Sequence, residues 1–292
     1  MEYQGQTIFL AKYDIIFKAV FLGDGDYSLL ASLLSSILNV EIEADDVTIL
    51  NVELPPEYES GKLSRLDIRI KTPDGKQVNV EIQLTDEKNM DKRSIFHLSK
   101  LYTGQMTARM KFKDLGPAIA INILDFKYLP YKEYHNVYRL KNIRNNDELT
   151  NVFEINFIEL PKVAPETGDA LKDLWMRFIS AENEEVLEML AKENPVIDEA
   201  VKKLVYVSAD ELVRYEMEMR EKAELDYRSA MMGQYEEGRQ EGERIGEARG
   251  ERIGEDKKSI EVAKELLKMD MNIDQISKIT KLSVCEINKL KE

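Results

Sequence analysis

Residues 63–84 read LSRLDIRIKTPDGKQVNVEIQL, and both the turn and the alternation in this stretch predict one β-hairpin. Pro73 suits the first central position of a type I turn, Asp74 the second, and Gly75 the left-handed residue that closes a three-residue loop. Such a loop pairs Thr72 with Lys76, so paired positions sum to 148. Leu66, Ile68 and Ile70 then meet Ile82, Val80 and Val78, apolar against apolar, and the register that closes the turn also builds a core. On the other face Asp67 falls opposite Glu81, and Gln83 opposite Arg65. Two carboxylates facing each other across a ladder cost free energy unless a cation sits between them or flanking arginines such as Arg65 and Arg69 absorb the charge. A divalent metal is the natural cation for such a pair.

On either side the pattern alternates helix and strand. Residues 13–39 carry an apolar stripe at helical spacing (Leu29, Leu30, Leu33, Leu34, Ile37, Leu38), broken at residues 23–26 into a short and a longer helix. A strand is expected at 47–54, ended by Pro55 and Pro56, followed by the hairpin and then a helix over 89–113 with Ile95, Phe96, Leu98, Leu101, Tyr102 and Met106 inward. Residues 118–126, AIAINILDF, are almost wholly apolar, as in a strand covered on both faces, and further strands fit 136–141 and 152–160. Helix, three strands, helix, strand describes an α/β sandwich on a mixed sheet. Beyond Pro165 the texture is helical, over 169–192 and 196–234. Glycines then recur every fourth residue from Gly238 to Gly254, in GRQEGERIGEARGERIGE; the charged residues between them exclude a membrane helix pair and leave a linker or a helix–helix seam. The last stretch, with Val262, Leu266, Leu267, Ile273, Ile276, Ile279 and Leu282 as a small core and helix starts near Asp274 and Ser283, resembles a helix-turn-helix pair or a docking bundle. The expected division is 1–165, a helical region 166–235, a glycine-repeat linker 236–256 and a helical tail 257–292.

Composition narrows the chemistry. One cysteine, Cys285, rules out an internal disulfide framework and a cysteine-rich zinc site, and two histidines, His97 and His135, leave no histidine-rich metal site. The start, MEYQGQTIFLAKYD, has no basic n-region and no apolar run approaches the roughly 18 residues of a membrane span, so a cytoplasmic protein without a membrane segment is expected. The net charge of −14 opposes non-specific attraction to nucleic acid, but it is unevenly spread. Between Lys88 and Arg144 twelve Lys or Arg stand against four acids (Asp91, Asp114, Asp125 and Glu133), which is either a solvated basic face or a surface for a polyanion beside an acidic site.

Asp67, fourteen residues before the E-x-Q of Glu81 and Gln83, resembles the active-site pattern of the PD-(D/E)XK nuclease superfamily. The text around it (YDIIFKAVF, GKLSRLDIRIKT, GKQVNVEIQ, DKRSIFHLSKLYTGQM and NILDF) is similar to the Rpn group of recombination-promoting nucleases, often described as PD-(D/E)XK family transposases, over residues 10 to about 130. The resemblance implies a restriction-endonuclease-like αβββαβ core with a helical C-terminal extension. It also implies a metal-dependent DNA endonuclease associated with recombination or mobile elements. Asp67 and Glu81 would hold Mg²⁺, with Mn²⁺ or Ca²⁺ as substitutes or modulators, and the backbone carbonyl of Ile82 would point to the same ion. Gln83 stands where the superfamily usually has lysine; it can orient a water but carries no charge and cannot serve as a base. Asp14 would support the metal site or cap a helix. Lys18 would neutralise phosphate or pair with Asp14, Arg93 would bind phosphate, and Gln105, on the same helix as Arg93, would face nucleic acid or solvent. DNA is the implied partner, with homo-oligomers forming through the C-terminal helices. The competing reading is a catalytically weak or inactive nucleic-acid-binding or assembly protein that oligomerises through its tail.

Overall fold

The computed structural model describes residues 1–50, 68–72, 74–164 and 170–290. Two compact units divide the chain, Met1–Glu221 and Lys222–Glu292. The first begins with a small ribbon, β1 (Glu2–Tyr3) and β2 (Gln6–Thr7), followed by α1 (Asp14–Leu22) and α2 (Ser28–Leu38). The break between these helices falls at Gly23–Gly25, as the sequence predicts, and Asn39 ends α2 in the left-handed conformation at φ 54°. Then come β3 (Thr48–Ile49), β4 (Ile68–Lys71), β5 (Gln77–Gln83), α3 (Met90–Thr103), β6 (Ala118–Leu124), β7 (His135–Lys141) and β8 (Glu148–Glu159). Helices α4 (Ala170–Ser180), α5 (Glu184–Glu193) and α6 (Pro195–Ala209) follow, and α7 (Glu211–Lys268) begins here.

The six-stranded sheet runs β3-β4-β5-β6-β8-β7; the β5–β6 and β6–β8 pairs are parallel and the rest antiparallel. One face is the apolar side of the hairpin. Ile68, Ile70, Val78, Val80 and Ile82 join Ile119, Ile121 and Ile123 of β6 against Phe17 and Phe21 of α1, the leucines of α2, and Trp175 and Phe178 of α4. Phe21 stacks on Trp175 with ring centroids 5.4 Å apart, and the Trp175 indole N–H donates to Ser32 Oγ at 3.2 Å. Every residue of β6 is buried, because α3 covers its second face, where Ala118 and Ala120 are small enough to admit Leu98 and Leu101.

The hairpin register is the expected one: Ile68↔Val80, Arg69↔Asn79, Ile70↔Val78 and Lys71↔Gln77 all sum to 148. The Thr72 N–H donates to Lys76 O at 2.9 Å, and Gly75 lies at φ +84°. Arg65, Leu66, Asp67 and Pro73 lie outside the described residues, as does the expected strand beyond Leu50.

Three expectations about α3 and its surroundings need correction. The helix ends at Thr103, not near 113. Ile95 and Phe96 point outward, 55% and 51% exposed, while Met90, Ser94, His97, Leu98 and Leu101 face the sheet. Gln105 therefore sits beyond the helix, where its amide clamps Gly116, donating to the Gly116 carbonyl at 3.0 Å and accepting its N–H at 2.9 Å. That clamp presses Gly116 onto the hairpin turn, where an added Cβ would stand 2.3 Å from the Gly75 carbonyl oxygen. The obstructing atom is backbone and cannot rotate aside. Gly116→Ala is accordingly expected to destabilise the first unit by about 3 kcal/mol, the upper end of overpacking costs, measurable by urea denaturation.

In the second unit the glycine repeat is helical throughout, and a Cβ at Gly238, Gly242, Gly246, Gly250 or Gly254 would meet nothing within 4 Å. Two short helices close the chain, α8 (Ile273–Thr280) and α9 (Val284–Lys289). Their core is Ala263, Ile276 and Ile287 with Leu266, Leu267, Met271, Ile273, Leu282 and Leu290 around them. Val262 and Ile279, expected inside, are 38% and 57% exposed. Ser283 starts α9 with a reciprocal capping box to Glu286, whereas the cap of α8 is Asn272, two residues before Asp274.

Candidate functional site

Because β5 alternates, Asn79, Glu81 and Gln83 share one side of the strand, opposite Val78, Val80 and Ile82. This polar row is not solvated: Asn79 is 2%, Glu81 1% and Gln83 5% exposed, beneath α3. A carboxylate taken out of water needs a cation, and α3 supplies one, Arg93, whose guanidinium reaches Glu81 Oε1 at 2.5 Å. The next residue, Ser94, donates to Asn122 Oδ1 at 2.9 Å, and the Asn122 amide donates to the Asn156 carbonyl at 3.1 Å. Asn122 is the β6 neighbour of Glu81 in the parallel ladder. His97, also buried, faces the same layer, its ring meeting Phe96 edge-on at 5.6 Å.

Gln83 closes the row at the end of β5. Its amide nitrogen donates to the Thr85 carbonyl at 3.2 Å, while its Oε1 is buried and meets no hydrogen-bond donor among the described residues. Ile82 turns its side chain to the opposite, apolar core, so only its backbone could serve a ligand on this face. Asp67, the other expected acid, lies outside the described residues.

The supporting positions behave differently from expectation. Asp14 sits in the first turn of α1, and its carboxylate pairs with Arg220 of α7, whose guanidinium also lies over the Tyr13 ring at 5.6 Å to the centroid. The expected Asp14–Lys18 pair does not form, and Lys18 is exposed. Arg220 takes the acid because α7 brings a forked, largely buried donor to it.

Two buried charge clusters had no sequence signal. Glu159, fully buried at the end of β8, accepts the N–H groups of Tyr128 at 2.6 Å and Leu129 at 3.1 Å and pairs with Lys162 at 2.6 Å. Lys12, before α1, bridges Asp125 at 2.8 Å and Glu182 at 2.6 Å. Burial alone would push the Lys12 ammonium down, but its hydrogen bonds to Asp125 and Glu182 outweigh this and raise its pKa above the ordinary 10.5. A group raised on folding contributes stability that is fully present below its unfolded pKa and is lost as pH rises through its folded pKa. Thermal denaturation is therefore expected to show a loss of stability setting in above about pH 10.5 that is absent in Lys12→Met.

A mixed sheet flanked by helices, with an antiparallel hairpin delivering a buried polar row that includes Glu81 beside a parallel neighbour, fits the α/β fold of PD-(D/E)XK nucleases. The family model described as PD-(D/E)XK nuclease family transposase matches residues 11–234, and the chain belongs to that family. No curated protein and no solved structure matches the chain. Membership implies a nuclease-like protein acting on nucleic acid, and nucleases of this kind generally use divalent metals. Among the described residues no three His, Cys, Asp or Glu come together as a metal cluster, and no helix is long and apolar enough to cross a membrane. The donor chemistry nevertheless suits a hard cation: a buried carboxylate and, two residues on, a buried amide oxygen without a hydrogen-bond partner among the described residues.

Proposed function

We propose that this protein is a Mg²⁺-dependent endonuclease that hydrolyses DNA phosphodiester bonds in a recombination or mobile-element setting. The observation that carries this reading is the buried row on β5, in which Glu81 is paired with Arg93 and Gln83 follows two residues on, in a chain of the PD-(D/E)XK family. Asp67, Glu81 and the Ile82 carbonyl would hold the ion. When bound, it supplies charge stabilisation at the phosphate and an activated water. Glu81 contributes a fixed negative charge, kept in place by the strand and by the cover of α3. Gln83 contributes orientation, since a neutral amide can both donate to and accept from a water but can hold no proton in transit. Arg93, released from Glu81, would be a fork for a phosphate oxygen pair. Asp14 and Lys18 have structural and solvent-facing roles in this reading, and Gln105 holds the Gly116 turn.

Supercoiled plasmid with Mg²⁺, with and without EDTA, tests it beside Asp67→Ala. Nicking by the wild type that EDTA stops and Asp67→Ala lacks is expected; equal nicking by both proteins, or none by the wild type with Mg²⁺, Mn²⁺ or Ca²⁺, refutes the reading. One observation favours a second reading, a binding or assembly protein without turnover: Glu81 is 1% exposed and already paired, and glutamine replaces the usual lysine. Binding of DNA without any nicking would support it. In either reading the second unit is the assembly element, since Leu225, Met232 and Tyr235 of α7 are 63%, 75% and 75% exposed. Sedimentation of the full chain is expected to exceed the 33.7 kDa monomer.

A further inference from the structure

The outward face of α3 carries the aromatic residue that the polar row beneath the helix turns away from the sheet. An amphipathic helix over a sheet ordinarily turns its aromatic residues inward, yet Ile95 and Phe96 stand 55% and 51% exposed while Ser94 and His97 occupy the interior. Phe96 does not stand alone. Lys92 precedes it and Lys100 follows it by four residues, placing the three in one stripe along the helix. The Lys100 ammonium lies 4.6 Å from the Phe96 ring centroid, and the edge-on contact with His97 at 5.6 Å fixes the ring from behind. The same helix serves the candidate site from its inner side, where Arg93, next to Lys92 in sequence, reaches Glu81.

Charge says what such a stripe fits. From Lys88 to Lys113 seven Lys or Arg stand against one acid, Asp91, in a chain whose net charge is −14. This markedly basic run includes the helix that covers the Glu81 row, and it suits a polyanion rather than an apolar partner. An exposed, oriented aromatic ring between two cations adds a second requirement. A base buried in a duplex stack offers no π-face, whereas an unpaired base can lie on the ring while its flanking phosphates meet the ammonium groups.

We propose that the Lys92–Phe96–Lys100 stripe is a stacking rail that holds a DNA strand through an unpaired base, leading that strand to the Glu81 row. The proposal rests on the nuclease reading and sharpens it, since it makes single-stranded or locally opened DNA the preferred form of substrate. A base stacked on Phe96 would displace the Lys100 ammonium from the ring face.

The test is fluorescence anisotropy of the full-length chain in EDTA, with a labelled oligothymidylate and a labelled duplex of equal length. The wild type is expected to bind the single strand more tightly than the duplex. Phe96→Ala, an exposed position that leaves the circular dichroism unchanged, is expected to weaken single-strand binding by about 5- to 150-fold and duplex binding far less, and Phe96→Trp to restore it. Lys100→Gln should lower the slope of log affinity against log salt by about 0.7. Single-strand binding by Phe96→Ala equal to wild type, or equal losses on both DNA forms, overturns the rail. So does sedimentation showing that Phe96→Ala separates two copies of the chain, which would make the stripe a protein seam. A wild type that nicks plasmid while Phe96→Ala binds normally removes the rail alone. A wild type that neither binds nor nicks removes the nuclease reading with it.

Discussion

Arg93→Ala is expected to destabilise the first unit by about 3–5 kcal/mol, the scale found when one partner of a buried ion pair is deleted. The cost arises from what remains. Glu81 is 1% exposed, so removal of the guanidinium takes its short ion pair from a carboxylate held in a low-dielectric layer. For a unit of this size the midpoint of thermal unfolding in EDTA should fall on the order of 10 °C. Two companion measurements separate this from generic damage to α3. In the double variant Arg93→Ala/Glu81→Gln the charge that Arg93 paired with is gone too, and much of the loss should be recovered; additivity of the two single effects would mean that the pair is not the cause. Mg²⁺ should also stabilise Arg93→Ala more than it stabilises the wild type, because the ion then replaces an absent cation instead of displacing one. Equal shifts with Mg²⁺ in the two proteins would sink the idea that Arg93 and the metal compete for Glu81.

The hairpin was readable because three local signals agreed: the turn residues, the alternation, and the apolar match across the pair. Each depends only on neighbours within one strand length, and the register Ile68↔Val80 through Lys71↔Gln77 follows from them. The break at Gly23–Gly25 and the doubly covered β6 were legible for the same reason. The face of α3 was not. Reading Ile95 and Phe96 as inward assumed that a helix buries its most apolar stripe, but this helix covers a strand row of Asn79, Glu81 and Gln83, and such a row must be met by polar groups. Arg93, Ser94 and His97 therefore turn inward and the aromatic residue is expelled. The remaining misses are pairings across long sequence separations. Asp14 meets Arg220, and Lys12 meets Glu182, contacts that exist only once the helices have docked on the sheet. Nothing in the local sequence distinguishes Lys12 from an ordinary surface lysine, and Asp14–Lys18 was the better local guess.

Glu81→Gln is the substitution expected to cost most in function: Mg²⁺-dependent DNA cleavage should fall on the order of 10³-fold, the scale on which one preorganised electrostatic partner acts in a buried site. The change keeps the side chain's shape and its acceptor oxygen, so the strand, the register and the cover of α3 have no steric reason to alter. What is lost is the charge. A neutral amide in place of the carboxylate leaves the Arg93 guanidinium without its counter-ion, but that side chain is 14% exposed and can reach water more readily than Glu81 can, so the stability loss should be smaller than for Arg93→Ala. Activity is best measured well below the variant's unfolding midpoint, to keep folding out of the comparison. Metal binding can be read without cleavage. If the wild type holds Mg²⁺ through Glu81, saturating ion at one hundred times its dissociation constant stabilises it by about 2.7 kcal/mol, and the thermal midpoint rises accordingly. Glu81→Gln should show almost none of that rise, and Gln83→Ala should keep most of it, because Gln83 contributes orientation and no charge. A variant that loses cleavage but keeps the full Mg²⁺ shift would place the ion elsewhere and leave Glu81 as a structural partner of Arg93. Loss of both together ties the buried acid to the metal, with the strand that presents it fixed by the register that follows the turn at Gly75.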